Sequence, residues 1–499
     1  MRAIAALECR RLALQDALDR DRIAGERNRL GQFATPPALA AAVVCTALSH
    51  VGPDDPVRFL DPAFGTGAFL SALLAALPSD RLDSLAGFEI DPRYGMPARA
   101  LWQPSGLALT LDDFTRATPP EPAKRATLLV CNPPYVRHHH IAAADKPRLQ
   151  ALGETVSGVR LSGLAGLYAH FMMLAHAHAA DGAIAAWLVP AEFMDVNYGA
   201  GVRRYLSERV TLLRLHRFDP AEVQFNDALV SSAVLWWRHL PPPPGHIVDF
   251  TRGGSIAMPA HSEAVPLARL AAEGKWNRWN RPGTAPPTNR GGRTLGDLVT
   301  IRRGVATGDN RFFIMTVEEA ESRGLPAEML RPILPGPRRL PPGLLEIDAD
   351  ADGAPRLTPR LMLLDCRLAE TEVAERFPSL WRYLHSGAER VGSRYLCRHR
   401  TPWYAQEQRE PPPLLCTYMG RGNSPFRFIR NHSRATAPNV YLLMYPRPEL
   451  SGNPGRLEAL WHALNGLDKA DLAAGGRVYG GGLHKLEPRE LARLPVDRL

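Results

Sequence analysis

The stretch VRFLDPAFGTGAFLSALLAAL (57–77) limits the fold more than any other part of the chain. An apolar strand runs to Leu60 and Asp61, Gly65 and Gly67 crowd the turn, and an amphipathic helix follows at once. This is how a βαβ unit begins. The alternation of strand and helix continues to about residue 240, which predicts a parallel-rich sheet with helices on both faces. Glycines at the carboxyl end of such a strand let a ligand approach the backbone, and the next helix N-terminus offers free N–H groups. Alone, the turn could equally be a tight connection.

The next two units point to a ligand. LAGFEIDP (85–92) predicts a strand ending at Glu89, 22 residues past Gly67, where a nucleoside-binding α/β fold places an acid on ribose hydroxyls. LALTLDDFTRA (107–117) predicts a third strand, ending in Asp112, Asp113 and Phe114. An aspartate there can accept from an adenine amino group while the aromatic ring packs on the base. Each acid taken singly could cap a helix, but acids at successive strand ends beside a glycine turn argue for a nucleoside. No pyrophosphate-type GxGxxG occurs, so the expected ligand lacks a diphosphate. S-adenosylmethionine fits that description.

A fourth predicted strand, ATLLVCNPPY (126–135), delivers Asn132, Pro133, Pro134 and Tyr135 to the same sheet edge. Proline restricts the residue before it and has no N–H, so two in a row fix a corner. The Asn132 side-chain oxygen and the Pro133 carbonyl can then converge on one exocyclic NH₂, with Tyr135 stacked on the ring that carries it. An amine conjugated to an aromatic ring is a poor nucleophile. Two acceptors on its hydrogens would draw the nitrogen toward sp³ character and aim its lone pair at a methyl sulfonium.

At this point the sequence resembles the amino-methylating DNA methyltransferases, specifically the N6-adenine enzymes. GQFATPPALAAAVV (31–44) is similar to the family's N-terminal cofactor motif, which implies that Thr35 contacts the methionine carboxylate. DPAFGTGAFL resembles the glycine motif and puts Asp61 at the methionine end, with Ala63, Gly65 and Gly67 beside the cofactor. FEID, DDF and NPPY follow in the family's order, which implies cofactor contacts from Glu89, Ile90, Asp113 and Phe114. VQFNDALVSSAVLWW (223–237) resembles the last catalytic motif, where Phe225 would pack on a flipped base. The implied fold is a Rossmann-like class I methyltransferase domain followed by a C-terminal α+β target-recognition domain. Only 64 residues separate Gly67 from Asn132, too few for a recognition domain between them, as in the family's γ arrangement.

Charge supports that division. The net charge is +9, yet residues 1–240 carry 24 basic and 24 acidic groups, whereas residues 241–499 carry 36 and 27. A neutral half followed by a basic half suits chemistry in one part and a polyanion in the other. The expected organisation is an N-terminal helix (1–27), a catalytic domain (28–240), a Pro/Gly-rich linker (241–293) and a recognition domain (294–499). IRRGVATGDNRFF (301–313) and RVYGGGLHKLEPREL (477–491) resemble recognition segments of the same enzymes. Six scattered cysteines and histidines at positions 170, 176 and 178 have no metal-ligand spacing, so no metal is expected. Without a signal peptide or a long apolar run, a cytoplasmic bacterial protein is expected. The expected partners are double-stranded DNA and a restriction endonuclease of the same specificity, with no membrane. Methylation of RNA or of a protein glutamine from the same corner, or non-catalytic DNA binding, remain as alternatives.

Overall fold

The computed structural model describes residues 2–20, 31–219, 231–276, 293–422, 424–467, 472, 476–479 and 483–496. The chain divides into two compact units, Met1–Ala285 with Tyr479–Gly481, and Pro286–Val478 with Gly482–Leu499.

The first unit is built on a nine-stranded sheet in the order β3-β2-β1-β4-β5-β7-β6-β8-β9. Its strands are β1 (Val57–Asp61), β2 (Leu82–Phe88), β3 (Leu107–Thr110), β4 (Ala126–Cys131), β5 (Ala179–Pro190), β6 (Thr211–Arg217), β7 (Ser232–Arg238), β8 (Ile247–Gly254) and β9 (Pro259–Pro266). Strands β3, β2, β1, β4 and β5 are parallel neighbours, so their carboxyl ends share one edge. Strand β7 is antiparallel to both β5 and β6. The fold is therefore the Rossmann-like class that the motifs imply.

Period-2 alternation in the strands accounts for a core on each face. Leu60 of β1 and Leu129 and Cys131 of β4 enter one apolar cluster, while Phe59, Leu128 and Val130 enter the other. The helices that cover the faces include α1 (Arg2–Arg20), α2 (Pro37–Leu48), α3 (Ala68–Ala76), α4 (Pro92–Trp102), α5 (Asp145–Ser157), α6 (Leu167–Ala175) and α7 (Ala200–Glu208).

The expected linker at 241–293 is corrected in its first half. The prolines at 241–244 end β7 but not the sheet: β8 returns parallel to β6, and β9 pairs antiparallel with β8. Val248, Phe250 and Thr251 of β8 are buried, and Trp276 is fully buried, with its backbone N–H on the Met194 carbonyl. Proline runs terminate hydrogen-bonded strands, but they do not stop the following segment from adding to the same sheet. Residues 277–292 lie outside the described residues.

The second unit has a mixed five-stranded sheet of Val299–Arg303, Tyr441–Pro446, Leu414–Thr417, Phe428–Asn431 and Glu346–Ile347, in that spatial order, among short helices. Asp309, in the GVATGDNRFF segment, caps the helix Asn310–Phe313 and receives Arg390 and Arg394, each at 3.1 Å. Among the described residues, no helix is long and apolar enough to cross a membrane.

Candidate active site

The loops leaving β1, β2, β3 and β4 enclose a cavity of about 560 Å³, within the roughly 300–1,000 Å³ usual for small-molecule sites. Its walls include Ala63 and Gly65 from the first loop, Glu89 and Ile90 from the second, Asp113 and Phe114 from the third, and Asn132 and Pro134 from the fourth. Four motifs scattered over some 70 residues meet there because parallel strands bring their carboxyl ends to one edge.

Asn132 has the most specific environment. Its side-chain nitrogen donates to the Phe33 carbonyl at 3.0 Å and to Thr35 Oγ1 at 3.1 Å. Both hydrogens of the amide are therefore used. The carbonyl of Phe33 can only accept, which fixes which end of the amide is nitrogen. Oδ1 is buried and has no hydrogen-bond partner among the described residues. An acceptor left in that state costs about 1–3 kcal/mol, a cost that an incoming N–H would remove.

Gly65, at φ +57°, has nothing within 4 Å of where a Cβ would stand, so a ligand can lie directly on its backbone. Its N–H donates to Glu89 Oε2 at 2.8 Å, and the Asp91 N–H donates to Oε1 at 2.8 Å. Burial raises the Glu89 carboxyl above its usual range, against these two hydrogen bonds. Each oxygen keeps further lone pairs, so a vicinal diol could still donate to the same carboxylate. Ile90 is 66% exposed, an apolar side chain presented to the cavity mouth. Phe114 is buried edge-on to Phe88 at 5.3 Å and tilted against Phe171 at 5.4 Å. Asp113 caps the turn after β3: its carboxylate accepts from the Thr115 N–H at 2.9 Å and from Thr115 Oγ1 at 2.8 Å.

Several expected residues stand elsewhere. Thr35 is buried and does not line the cavity, and its hydroxyl oxygen faces Asn132. Gly67 lies behind the turn, against Trp102 and Phe64. Tyr135, expected to stack on a base, is only 9% exposed and does not line the cavity. Its hydroxyl donates to the Leu188 carbonyl at 3.1 Å, and its ring tilts against Phe33 at 5.6 Å. A buried phenol finds an acceptor where it can, and here that acceptor pins the ring into the wall. Pro133 is likewise buried outside the cavity wall. Phe225 lies outside the described residues.

Asp61 is fully buried behind Ala63, whose N–H donates to Oδ1 at 3.0 Å. Burial pushes its carboxyl up to about 8; the Glu89 charge adds to the rise and the Ala63 N–H opposes it. A carboxyl whose folded pKa exceeds its unfolded value binds a proton more tightly in the native chain, so stability falls as pH rises through the interval between the two. For Asp61 that interval runs from about 4 to about 8. In the donor-free protein, Asp61→Asn should therefore raise the melting temperature more at pH 8 than at pH 5. A gain that does not change with pH would show that Asp61 titrates normally.

The contribution of α1, expected only as an N-terminal helix, was not legible in the sequence. Gln15 and Asp19 line the cavity. Arg11 is buried, donating to Thr66 Oγ1 at 3.1 Å; that hydroxyl donates to Gln15 at 2.7 Å, and Gln15 donates to Asp19 at 3.0 Å. Tyr94 of α4 adds a hydrogen bond to Asp19 at 3.2 Å. Nothing in the mixed polarity of α1 marks these residues, because their role depends on a tertiary contact with the glycine turn. Arg148 of α5, held by the Thr115 carbonyl at 2.8 Å, was also not foreseen.

Fold and site together define a class I methyltransferase domain with a ligand cavity at the carboxyl ends of its parallel strands. Residues 127–224 match the Eco57I restriction-modification methylase family, and residues 288–499 match the C-terminal domain of the Type II methyltransferase M.Eco57I. The chain is 30% identical over 484 residues to the Type II methyltransferase M.XamI of Xanthomonas campestris pv. amaranthicola, covering 94% of this chain and 86% of that one. It is 22% identical to M.AccI of Acinetobacter calcoaceticus, over 93% and 85% of the respective chains. Among solved structures, the Type IIL restriction-modification enzyme MmeI in complex with DNA aligns with a TM-score of 0.56 at 14% identity. That alignment covers 92% of this chain but 64% of MmeI, so the chain spans just under two thirds of that enzyme and the likeness is one of fold. The chain belongs to the Eco57I family of Type II restriction-modification methyltransferases. It is a DNA methyltransferase of a restriction-modification system.

Proposed function

We propose that the methyl acceptor is the N6 amino group of an adenine flipped out of double-stranded DNA, and that S-adenosylmethionine is the donor. The observation that carries this reading is the buried, unpartnered Oδ1 of Asn132, at the same sheet edge as a glycine turn open to a ligand. Glu89 would take the ribose hydroxyls, Gly65 would let the nucleoside approach, and Ile90 and Phe114 would pack on its base. The donor supplies an electrophilic methyl group on a sulfonium. Asn132 Oδ1 would accept an amino hydrogen and weaken the nitrogen's conjugation with the ring, so that positioning and electrostatics raise its nucleophilicity. An amino group paired inside a duplex cannot reach this corner, and flipping the base costs a few kcal/mol. Recognition of the target is assigned to the basic C-terminal part, and a restriction endonuclease acting on the same sequence is the expected partner.

The test is single-molecule sequencing of DNA from a methylation-free host expressing the chain. N6-methyladenine at one short motif is the expected result. N4-methylcytosine at a motif would retain the corner chemistry and overturn the choice of base. No modified base, from protein that still binds S-adenosylhomocysteine, would overturn the DNA amino-group reading as a whole.

A further inference from the structure

We propose that the N-terminal helix supplies half of the ribose subsite of the donor: Gln15 of α1 gives an amide hydrogen to the oxygen of a ribose hydroxyl whose own hydrogen goes to Glu89. The inference rests on S-adenosylmethionine being the donor. Each ribose hydroxyl is both a donor and an acceptor, whereas a carboxylate only accepts. Glu89 can therefore take hydroxyl hydrogens but leaves the oxygen lone pairs unserved. A donor in the same wall would serve them, and Gln15 lines the cavity with a hydrogen to give. One of its two amide hydrogens goes to Asp19, and the second has no partner among the described residues.

Two tethers put Gln15 beside Glu89. The Gly65 N–H donates to Glu89 Oε2 at 2.8 Å, and the next residue, Thr66, donates its hydroxyl to Gln15 Oε1 at 2.7 Å. On the other side, Asp19 receives Gln15 Nε2 at 3.0 Å and the hydroxyl of Tyr94 at 3.2 Å, and Tyr94 stands on α4, the helix that follows Glu89. Helix α1 is thus fastened to both elements that frame the acid. The Gln15 amide is also held one way round. Rotated by half a turn, it would set Oε1 against the Asp19 carboxylate, acceptor against acceptor. The far end of the relay is anchored, because the fully buried Arg11 donates to Thr66 Oγ1 at 3.1 Å and to both oxygens of Glu8 at 2.7 Å. An arginine can only donate, so the hydrogen of the Thr66 hydroxyl is left for Gln15.

The experiment is calorimetric binding of S-adenosylhomocysteine and of its 2′-deoxy and 3′-deoxy analogues to the full chain, wild type against Gln15→Met and Gln15→Ala. Methionine keeps the length of the side chain and suits a helix, but has no N–H; alanine cannot clash with the wall. Both variants should raise the Kd of S-adenosylhomocysteine about three- to tenfold, the size of one neutral hydrogen bond. For at least one deoxy analogue, wild type and variants should bind alike, because the hydroxyl that Gln15 serves is already gone. An unchanged Kd for S-adenosylhomocysteine in both variants would overturn the inference. An equal loss for all three ligands would also overturn it, leaving Gln15 to shape the wall without touching the ribose. Wild type keeps the two failures apart: if it bound no S-adenosylhomocysteine, the donor reading would fall and this inference with it, whereas tight wild-type binding beside unaffected variants would sink only the role of Gln15.

Discussion

Asn132→Ala is expected to lower turnover by at least about a hundredfold while leaving binding of S-adenosylhomocysteine and of DNA close to wild type, the size of effect seen when one preorganised transition-state acceptor or donor is removed. Oδ1 is buried without a partner among the described residues, and on the proposed reading its hydrogen bond to the reacting nitrogen would strengthen as that nitrogen loses conjugation and gains positive charge. Such an interaction contributes more in the transition state than in the ground state, so its loss lowers kcat rather than raising KM. The alanine side chain also removes an orphaned polar atom, so the variant should fold at least as readily as the parent where Oδ1 is concerned. Thermal melting within a few degrees of wild type, together with lost turnover, would separate the chemical role from a structural one. Turnover within about tenfold of wild type, some 1.4 kcal/mol of barrier, would refute the role.

The legible part of this protein is its parallel half-sheet. Strand β4 could be read because a strand buried on both faces is a nearly continuous apolar run, here ATLLVC, and Asn-Pro-Pro follows it directly. Glu89 and Gly65 were legible for the same reason: each sits where a parallel strand must end and a ligand can approach. What was not legible depends on contacts across long sequence separations. The sequence pattern of α1 does not show that Gln15 and Asp19 reach the cavity, since the chain that places them runs through Arg11 and Thr66, 55 residues apart. The hydroxyl partner of Tyr135 is a backbone carbonyl on β5, 53 residues away, and no local pattern reveals which way a phenol will turn. Strands β8 and β9 were missed because four prolines signal an end without saying whether the end is of a strand or of a sheet. Asp113 illustrates a third case: both the capping and the ligand readings were open in the sequence, and the structure shows the cap together with a place in the cavity wall.

Gly31→Ala should damage the protein most broadly, although residue 31 contributes no side chain to the chemistry. Its φ of +65° disfavours any residue with a Cβ by roughly 1 kcal/mol. Space is the larger problem. An added Cβ would stand 2.3 Å from the Tyr135 backbone nitrogen and 2.6 Å from its carbonyl carbon, and neither can swing away as a flexible side chain could. The segment at 31–35 would have to withdraw from the corner, breaking the Tyr135 N–H to Gly31 carbonyl bond and carrying Phe33 and Thr35 off Asn132. The expected result is a destabilisation on the order of 2–4 kcal/mol and turnover reduced about a hundredfold or more in the protein that still folds, through loss of geometry. Gly65→Ala is the informative control. Its φ of +57° carries a similar conformational penalty, but its Cβ would meet nothing within 4 Å. That variant should lose donor affinity with only about 1 kcal/mol of stability. If Gly31→Ala melted like Gly65→Ala and kept its turnover, the close packing of the N-terminal segment on the catalytic corner would not be what holds Asn132 in place.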